Sequence, residues 1–198
     1  MKFLPELFER NRAWAARCVE LDPTFFEQLH EIQSPSYLWI GCSDSRAPAN
    51  QIVDQPPGTV FVHRNVANLV TPGDVNILAV LHYAIDVLRI RHVIVCGHYR
   101  CGGVQAALGA PLQEPLESWI RHIRKIRDSH AEELAACSSE EERWRRLCEL
   151  NVVAQVRDLC ELGVVVDAWR RDQALTVHGW IYDLRDGLLQ DLEVSRDG

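Results

Sequence analysis

Two rhythms of hydrophobic residues alternate along this chain. Residues 36–41 (SYLWIG) and 58–65 (GTVFVHRN) are short apolar or alternating runs bounded by turn-forming residues, which predicts two strands. Gly73 and Asp74 then open a stretch in which Ile77, Leu78, Leu81, Ile85 and Leu88 recur at helical spacing, an amphipathic helix. Residues 92–97 (HVIVCG) are continuous and β-branched, as in a strand covered on both faces. A helix is expected from about Gly102, and a second, of mixed charge, over 114–134. Ser139 with Glu142 forms a capping box that opens a long helix through about Leu162. LTVHGWIYDL predicts another strand, Asp186-Gly187 a hairpin turn, and LLQDLEV an antiparallel partner. At the other end, residues 1–31 read as two helical pieces, the second starting at Asp22-Pro23 by the cap-then-proline pattern. The alternation predicts an α/β fold: a mainly parallel central sheet flanked by helices, with an antiparallel C-terminal edge strand and an N-terminal helical arm.

Composition narrows this further. With 198 residues, 47% of them hydrophobic and 25% charged, the chain suits a single domain over 1–198 with a true core. The net charge of −7 argues against nucleic acid as a partner. No apolar run approaches the roughly 20 residues a membrane span needs. Glu6 and Glu9 interrupt the segment where an export signal would carry its apolar core, so no export signal is read. The seven cysteines (Cys18, Cys42, Cys96, Cys101, Cys137, Cys148, Cys160) are odd in number and irregular in spacing. That is a poor disulfide framework and fits the reducing cytoplasm, with some thiols buried and some available to a metal.

Two predicted strands end in metal-type residues. The first runs into GCSDSR (41–46) and the later one into CGHYRCGG (96–103). In open α/β sheets, functional groups gather beyond the carboxyl ends of the strands. His98 and Cys101, three apart at a strand-to-helix turn, can point at one centre, and Cys42 supplies a third ligand from a neighbouring strand end. Two thiolates and an imidazole suit zinc and leave a fourth position open, as catalytic sites do. Gly97, Gly102 and Gly103 let backbone crowd round an ion, and Gly102 and Gly103 can present N–H groups at a helix start. Taken singly, each half has a blander reading. A lone His-x-x-Cys is often incidental, and a free cysteine is often a small buried hydrophobe. Both halves following apolar, glycine-bearing strand ends is what favours a metal.

The pair CSDSR and, some fifty residues on, GHxxCGG resembles the β-class carbonic anhydrases, and the resemblance runs along nearly the whole chain. FVHRNVAN, CELNV and VHGWIYDLRDG also resemble segments of bacterial members. The resemblance implies one Zn2+ per chain held by Cys42, His98 and Cys101, and reversible hydration of carbon dioxide to bicarbonate and a proton by zinc-bound hydroxide. Carbonic anhydrases with three-histidine sites are themselves the known case of zinc making water acidic enough for this near neutral pH. It also implies residues 1–33 as a dimerisation arm, residues 34–198 as the zinc-binding core, and a homodimer assembling to a homotetramer. Phe3, Leu7 and Trp14 on the first helix agree with such docking.

Within the resemblance, Asp44 and Arg46 act as a catalytic pair and as a switch. With Arg46 holding it, Asp44 accepts a hydrogen bond from the hydroxide. Released, it binds zinc itself and closes the site. The blander reading is an ordinary turn ion pair. In the bicarbonate-regulated type II subgroup a Trp, an Arg and a Tyr form an inhibitory pocket, and the matching residues are Trp39, Arg64 and Tyr182. By residue type alone those would be two core aromatics and an ion-pair partner. The switch predicts activity rising steeply above about pH 8, and relief of bicarbonate inhibition in W39A. Arg100 departs from the small residue usual at its position and either attracts bicarbonate or faces solvent. His63, His82, His92, His122, His130 and His178 are assigned no metal, and none is named as proton shuttle. Two other functions stay open: a zinc hydrolase of CS2 or COS, and a catalytically silent zinc scaffold that senses bicarbonate. Intact Asp44 and Arg46 favour catalysis.

Overall fold

The structure, a computed structural model, describes residues 3–31 and 33–198. Met1, Lys2 and Ile32 of the expected arm lie outside the described residues. The chain divides into two compact units, Met1–Ser34 and Pro35–Gly198.

The first unit holds helices α1 (Pro5–Leu21) and α2 (Phe25–Glu31). Pro5 occupies the first helical position, where its missing N–H costs nothing. Phe3 therefore precedes the first helix. Asp22 Oδ1 accepts from the N–H of Thr24 at 2.9 Å and from its hydroxyl at 2.7 Å, which fixes the turn the sequence announced. Trp14 sets its ring edge-on to Phe26, centroids 5.6 Å apart. No residue of α1 is buried.

The second unit is built on a sheet of six strands: β1 (Tyr37–Cys42), β2 (Val60–Asn65), β3 (His92–His98), β4 (Thr176–Asp183), β5 (Leu188–Asp191) and β6 (Arg196–Asp197). The order is β2-β1-β3-β4-β5, the first four parallel, with β5 and β6 antiparallel to β4. The α/β reading holds. Helix α3 is the short Ala49–Ile52, and α4 is Val75–His82. Then follow α5 (Gly102–Leu108), α6 (Leu116–Ser129), α7 (Ala131–Ala135), α8 (Glu140–Cys160) and α9 (Gly163–Arg170).

One face of the sheet carries the main core. Leu38, Ile40, Val93, Val95 and Val177 pack there against Ile77 and Leu81 of α4, Val152, Val156 and Leu159 of α8, and Val164, Val165 and Ala168 of α9. On the other face Trp39, Ile94 and Cys96 meet Ala49, Ile52 and Val53 at and just after α3, and Trp180 and Tyr182 are only partly covered. β4 accordingly alternates buried and half-buried positions, whereas β3 is buried from Val93 onward.

Three details depart from the sequence reading. The helix expected to run to Leu88 ends as an α-helix at His82 and widens into a π-turn over Tyr83–Val87. Ser139 Oγ does accept from Glu142 N at 3.1 Å, but the Glu142 carboxylate turns to Ser138 N and Oγ, one residue before the box. The hairpin joins Asp183 to Leu188 through four residues, with Gly187 at φ 77° and its N–H on Asp183 O.

Candidate metal centre

Strands β1 and β3 are parallel neighbours, so their carboxyl ends open at one edge. β1 delivers Cys42 as its last residue, β3 delivers His98, and the turn after β3 brings back Cys101 at the N-cap of α5. Ligand atoms of Cys42, His98 and Cys101 lie within 4.8 Å of one another, and all three residues are buried. The two sulfurs are 3.8 Å apart. Two thiolates on one tetrahedral zinc, each at about 2.3 Å, would stand at about this separation. His98 supplies the sharper test. Its Nδ1 bonds to Tyr99 O at 2.9 Å, a carbonyl that can only accept, so the lone pair sits on Nε2. Nε2 is buried and without a hydrogen-bond partner. Such a group is costly unless something fills its lone pair. The three residues fit zinc.

The thiols show the same preparation. The Cys42 thiol is held well below its usual range, chiefly by a hydrogen bond from Cys101, against burial and with help from the N–H groups of Asp44 and Ala67. Cys101 is pushed up by that same bond and by burial. A cation would displace the proton held between them. Cys148, nearby, is simply pushed up to about 12 by burial and stays a neutral thiol.

Asp44 stands at the rim. Arg46 grips it with Nε on Oδ1 at 2.9 Å and Nη2 on Oδ2 at 2.7 Å, and its own N–H reaches Oδ1 at 2.9 Å. This fork holds the carboxyl far below the usual carboxylate range. Asp44 Oδ2 is 3.8 Å from His98 Nε2, so the carboxylate borders the centre while paired with Arg46. Arg64, the β2 partner of Gly41, donates from Nε to Cys42 O at 2.8 Å and from Nη2 to Asp44 O at 2.5 Å. Trp39 is buried, its indole lying over Gly41, where a Cβ would come within 2.5 Å of Nε1. By register Trp39, Arg64 and Tyr182 share one sheet face, on β1, β2 and β4, and Tyr182 pairs with His98 itself.

The turn after β2 completes the surroundings. Ala67 and Asn68 take left-handed conformations, φ 66° and 50°, which two residues with a Cβ adopt at a cost of about 1 kcal/mol or more each. Side chains pin the segment. Asn65 exchanges two bonds with Leu69, Trp119 Nε1 donates to Val66 O, Asn151 Nδ2 to Ala67 O, and Gln155 Oε1 accepts from Val70 N. The Ala67 N–H thereby lands 3.4 Å from Cys42 Sγ. Sequence reasoning missed Asn151 and Gln155. Their signal was two amides four apart on the apolar side of α8, among Leu147, Leu150, Val152 and Val156.

The expected glycines divide. A Cβ on Gly103 would strike Val66 Cγ1 at 2.9 Å and Ala67 Cβ at 3.1 Å, whereas at Gly102 it would meet open space. Arg100 stacks over Trp144, with Nη1 3.7 Å from Glu141. The histidines given no metal role lie outside the three-residue cluster found among the described residues. His92 and His178 bond to each other at 3.1 Å.

The sequence model of the carbonic anhydrase family matches residues 37–189. A carbonic anhydrase of Emericella nidulans is 46% identical over 193 residues, covering 98% of this chain and 85% of that protein. A Pseudomonas aeruginosa carbonic anhydrase is 33% identical over 176 residues, 85% of this chain and 78% of that protein, so the bacterial likeness is the weaker of these two. Among solved structures, a β-carbonic anhydrase from Coccomyxa in complex with acetazolamide superposes with a TM-score of 0.95. It is 40% identical, with 100% of this chain and 90% of that one covered. A tetrameric β-carbonic anhydrase from Sordaria macrospora gives a TM-score of 0.93 at 39% identity, over 96% and 97% of the two chains.

Proposed function

This chain belongs to the β-class carbonic anhydrases, and on that premise we propose that Cys42, His98 and Cys101 hold its zinc while Asp44 and Arg46 govern the reacting water. It is a zinc enzyme that hydrates carbon dioxide reversibly to bicarbonate. The observation that carries the ligand assignment is the buried, unpartnered Nε2 of His98 facing two sulfurs 3.8 Å apart. When bound, zinc supplies a Lewis acid that activates water near neutral pH. The chain's own residues do the rest. Tyr99 O fixes the imidazole. Burial keeps bulk water from both sulfurs. Asp44, kept ionised by Arg46, would accept a hydrogen bond at Oδ2 from the reacting water and so orient it toward carbon dioxide. No helix among the described residues is long and apolar enough to cross a membrane. All seven cysteines are free thiols, and for that reason we place the enzyme in the reducing cytoplasm.

Regulation by bicarbonate is a second reading, favoured by Arg64. Its guanidinium ties the carbonyls of Cys42 and Asp44, so an anion that drew Arg64 away would loosen the segment carrying Asp44 and free the carboxylate to move onto the metal. Trp39 and Tyr182, on the same face, are the other walls of that anion pocket.

Stopped-flow carbon dioxide hydration by the zinc-loaded protein at pH 7 and 9, with and without added bicarbonate, tests both readings. Activity is expected at pH 9, and C42S is expected to lose both zinc and activity. The switch predicts a rise between the two pH values steeper than one titration allows, and weaker bicarbonate inhibition in W39F. Inactivity at both pH values would favour a silent scaffold. A shallow profile with unchanged inhibition in W39F would remove the switch and leave the catalyst.

A further inference from the structure

The hydrogen bonds that surround the centre reach deep into α8. Asn151 is 1% exposed and Gln155 2% exposed, and the hydrogen bonds of both go to the turn after β2 and to each other. Gln155 Nε2 donates to Asn151 Oδ1 at 3.0 Å, which orients the Asn151 amide so that Nδ2 points at Ala67 O, also at 3.0 Å. Gln155 Oε1 in turn receives Val70 N at 2.7 Å. Both amides are thus spent on one turn of backbone, residues 67–70, whose left-handed Ala67 and Asn68 would not persist unaided. The outcome is a single N–H, that of Ala67, delivered to the sulfur of Cys42.

We propose that Asn151, oriented by Gln155, is a positioning residue that holds the Ala67 N–H on the Cys42 sulfur and thereby sets how much charge that sulfur donates to the zinc. A thiolate that accepts a hydrogen bond donates less to its metal, and the groups bonded to a ligand orient it and tune its basicity. With two sulfurs around the ion, trimming the charge of one keeps the metal electrophilic. The orientation of the bond fits this role. The Ala67 N–H shares its planar peptide with the Val66 carbonyl, which Trp119 holds; Asn151 holds the Ala67 carbonyl, one peptide further on, so the two bonds fix the backbone on both sides of the Ala67 Cα, while its methyl lies against Gly103. The N–H has one direction left to point.

This inference rests on Cys42 being a zinc ligand, so the test separates the two. Cobalt exchanged for zinc reports sulfur-to-metal charge transfer in the near ultraviolet. The wild-type band should lose intensity in C42S. In N151D the carboxylate still accepts from Gln155 but cannot donate to Ala67 O. Its band is expected to move to longer wavelength, and the pH midpoint of kcat/KM of the zinc form to rise by about 0.5–1 unit, the worth of one hydrogen bond. Q155M, which leaves Asn151 able to turn, should shift both in the same direction by less, and serves if N151D does not fold. An unmoved band and midpoint in a folded, metal-loaded variant would overturn the positioning role alone. A wild-type band indifferent to C42S would overturn the ligand assignment and this inference with it.

Discussion

Asp44 has two competing partners within reach, the guanidinium it is paired with and the centre 3.8 Å away at His98 Nε2. Arg46 wins by geometry: its planar fork satisfies both carboxylate oxygens at once, while its backbone N–H adds a third bond. A lysine is a point charge and cannot replace the fork. R46K is therefore expected to lower kcat at least about tenfold, and R46A further, in the way removal of a group orienting the reacting atoms does. Zinc affinity in R46A should hold or rise, because the released carboxylate can join the metal. Stopped-flow rates with chelator competition check this; a fall in affinity parallel to the fall in rate would mean that Arg46 serves only to keep the site folded. At this scale the sequence spoke unevenly. Cys42, His98 and Cys101 were legible because each carries its chemistry in its side chain and follows a glycine-bearing strand end. The Ala67 N–H was not, because a backbone donor aimed by a positive φ leaves no mark in residue type. Arg100 was ambiguous for the opposite reason: its charge was plain, and only the stacking on Trp144 shows where it goes.

Between α8 and the sheet, two glycines set the distance. A Cβ built on Gly97 would lie 2.5 Å from Val152 Cγ2; on Gly179 it would meet Val194 Cγ2 at 2.5 Å and Val156 Cγ2 at 2.9 Å. Helix α8 thus rides low over β3 and β4, and this close approach lets Asn151, one residue from Val152, reach the turn beyond β2. G179A is expected to cost about 1–3 kcal/mol by overpacking, read as a lower urea midpoint with an unchanged slope. G97A should cost a similar amount and in addition weaken zinc binding, since it precedes His98 on the same strand. Equal zinc affinity in both variants would show that the helix can lift without disturbing the centre. The strands and α8 were readable in advance because their periodicity is a burial pattern, and burial is what fixes them. The π-turn after His82 was not, since Ile85 and Leu88 keep a helical spacing whichever hydrogen bond closes the turn. Helices α3 and α9 escaped notice too. The first is only four residues long, and the second follows α8 after a break of only two residues, Glu161 and Leu162.

At the scale of the molecule, apolar surface is left unspent in each unit. In α1, Leu7, Phe8, Trp14 and Val19 are 53%, 43%, 42% and 45% exposed, and this 17-residue helix has no buried position. In the core unit, Tyr37, Trp39, Val60, Ile94 and Trp180 line a pocket of about 200 Å³ on the sheet face opposite the main core, and Val62 on that face is 39% exposed. Surface of this kind, contiguous and aromatic, marks an interface. A second copy of the chain is a partner such apolar surface would fit, and a tetramer is the state of the Sordaria macrospora relative. We therefore expect the protein to sediment as a homodimer or homotetramer. Placing charges on the arm, as F8E with W14E, should shift it toward monomer in analytical ultracentrifugation, because two buried aromatics of an interface commonly carry several kcal/mol between them. Since both substitutions lie in the first unit and the metal cluster in the second, the monomer is expected to keep its zinc, and its hydration rate then reports whether a partner is needed for turnover. A wild-type monomer at micromolar concentration would leave the apolar arm unexplained and remove the assembly from the proposal.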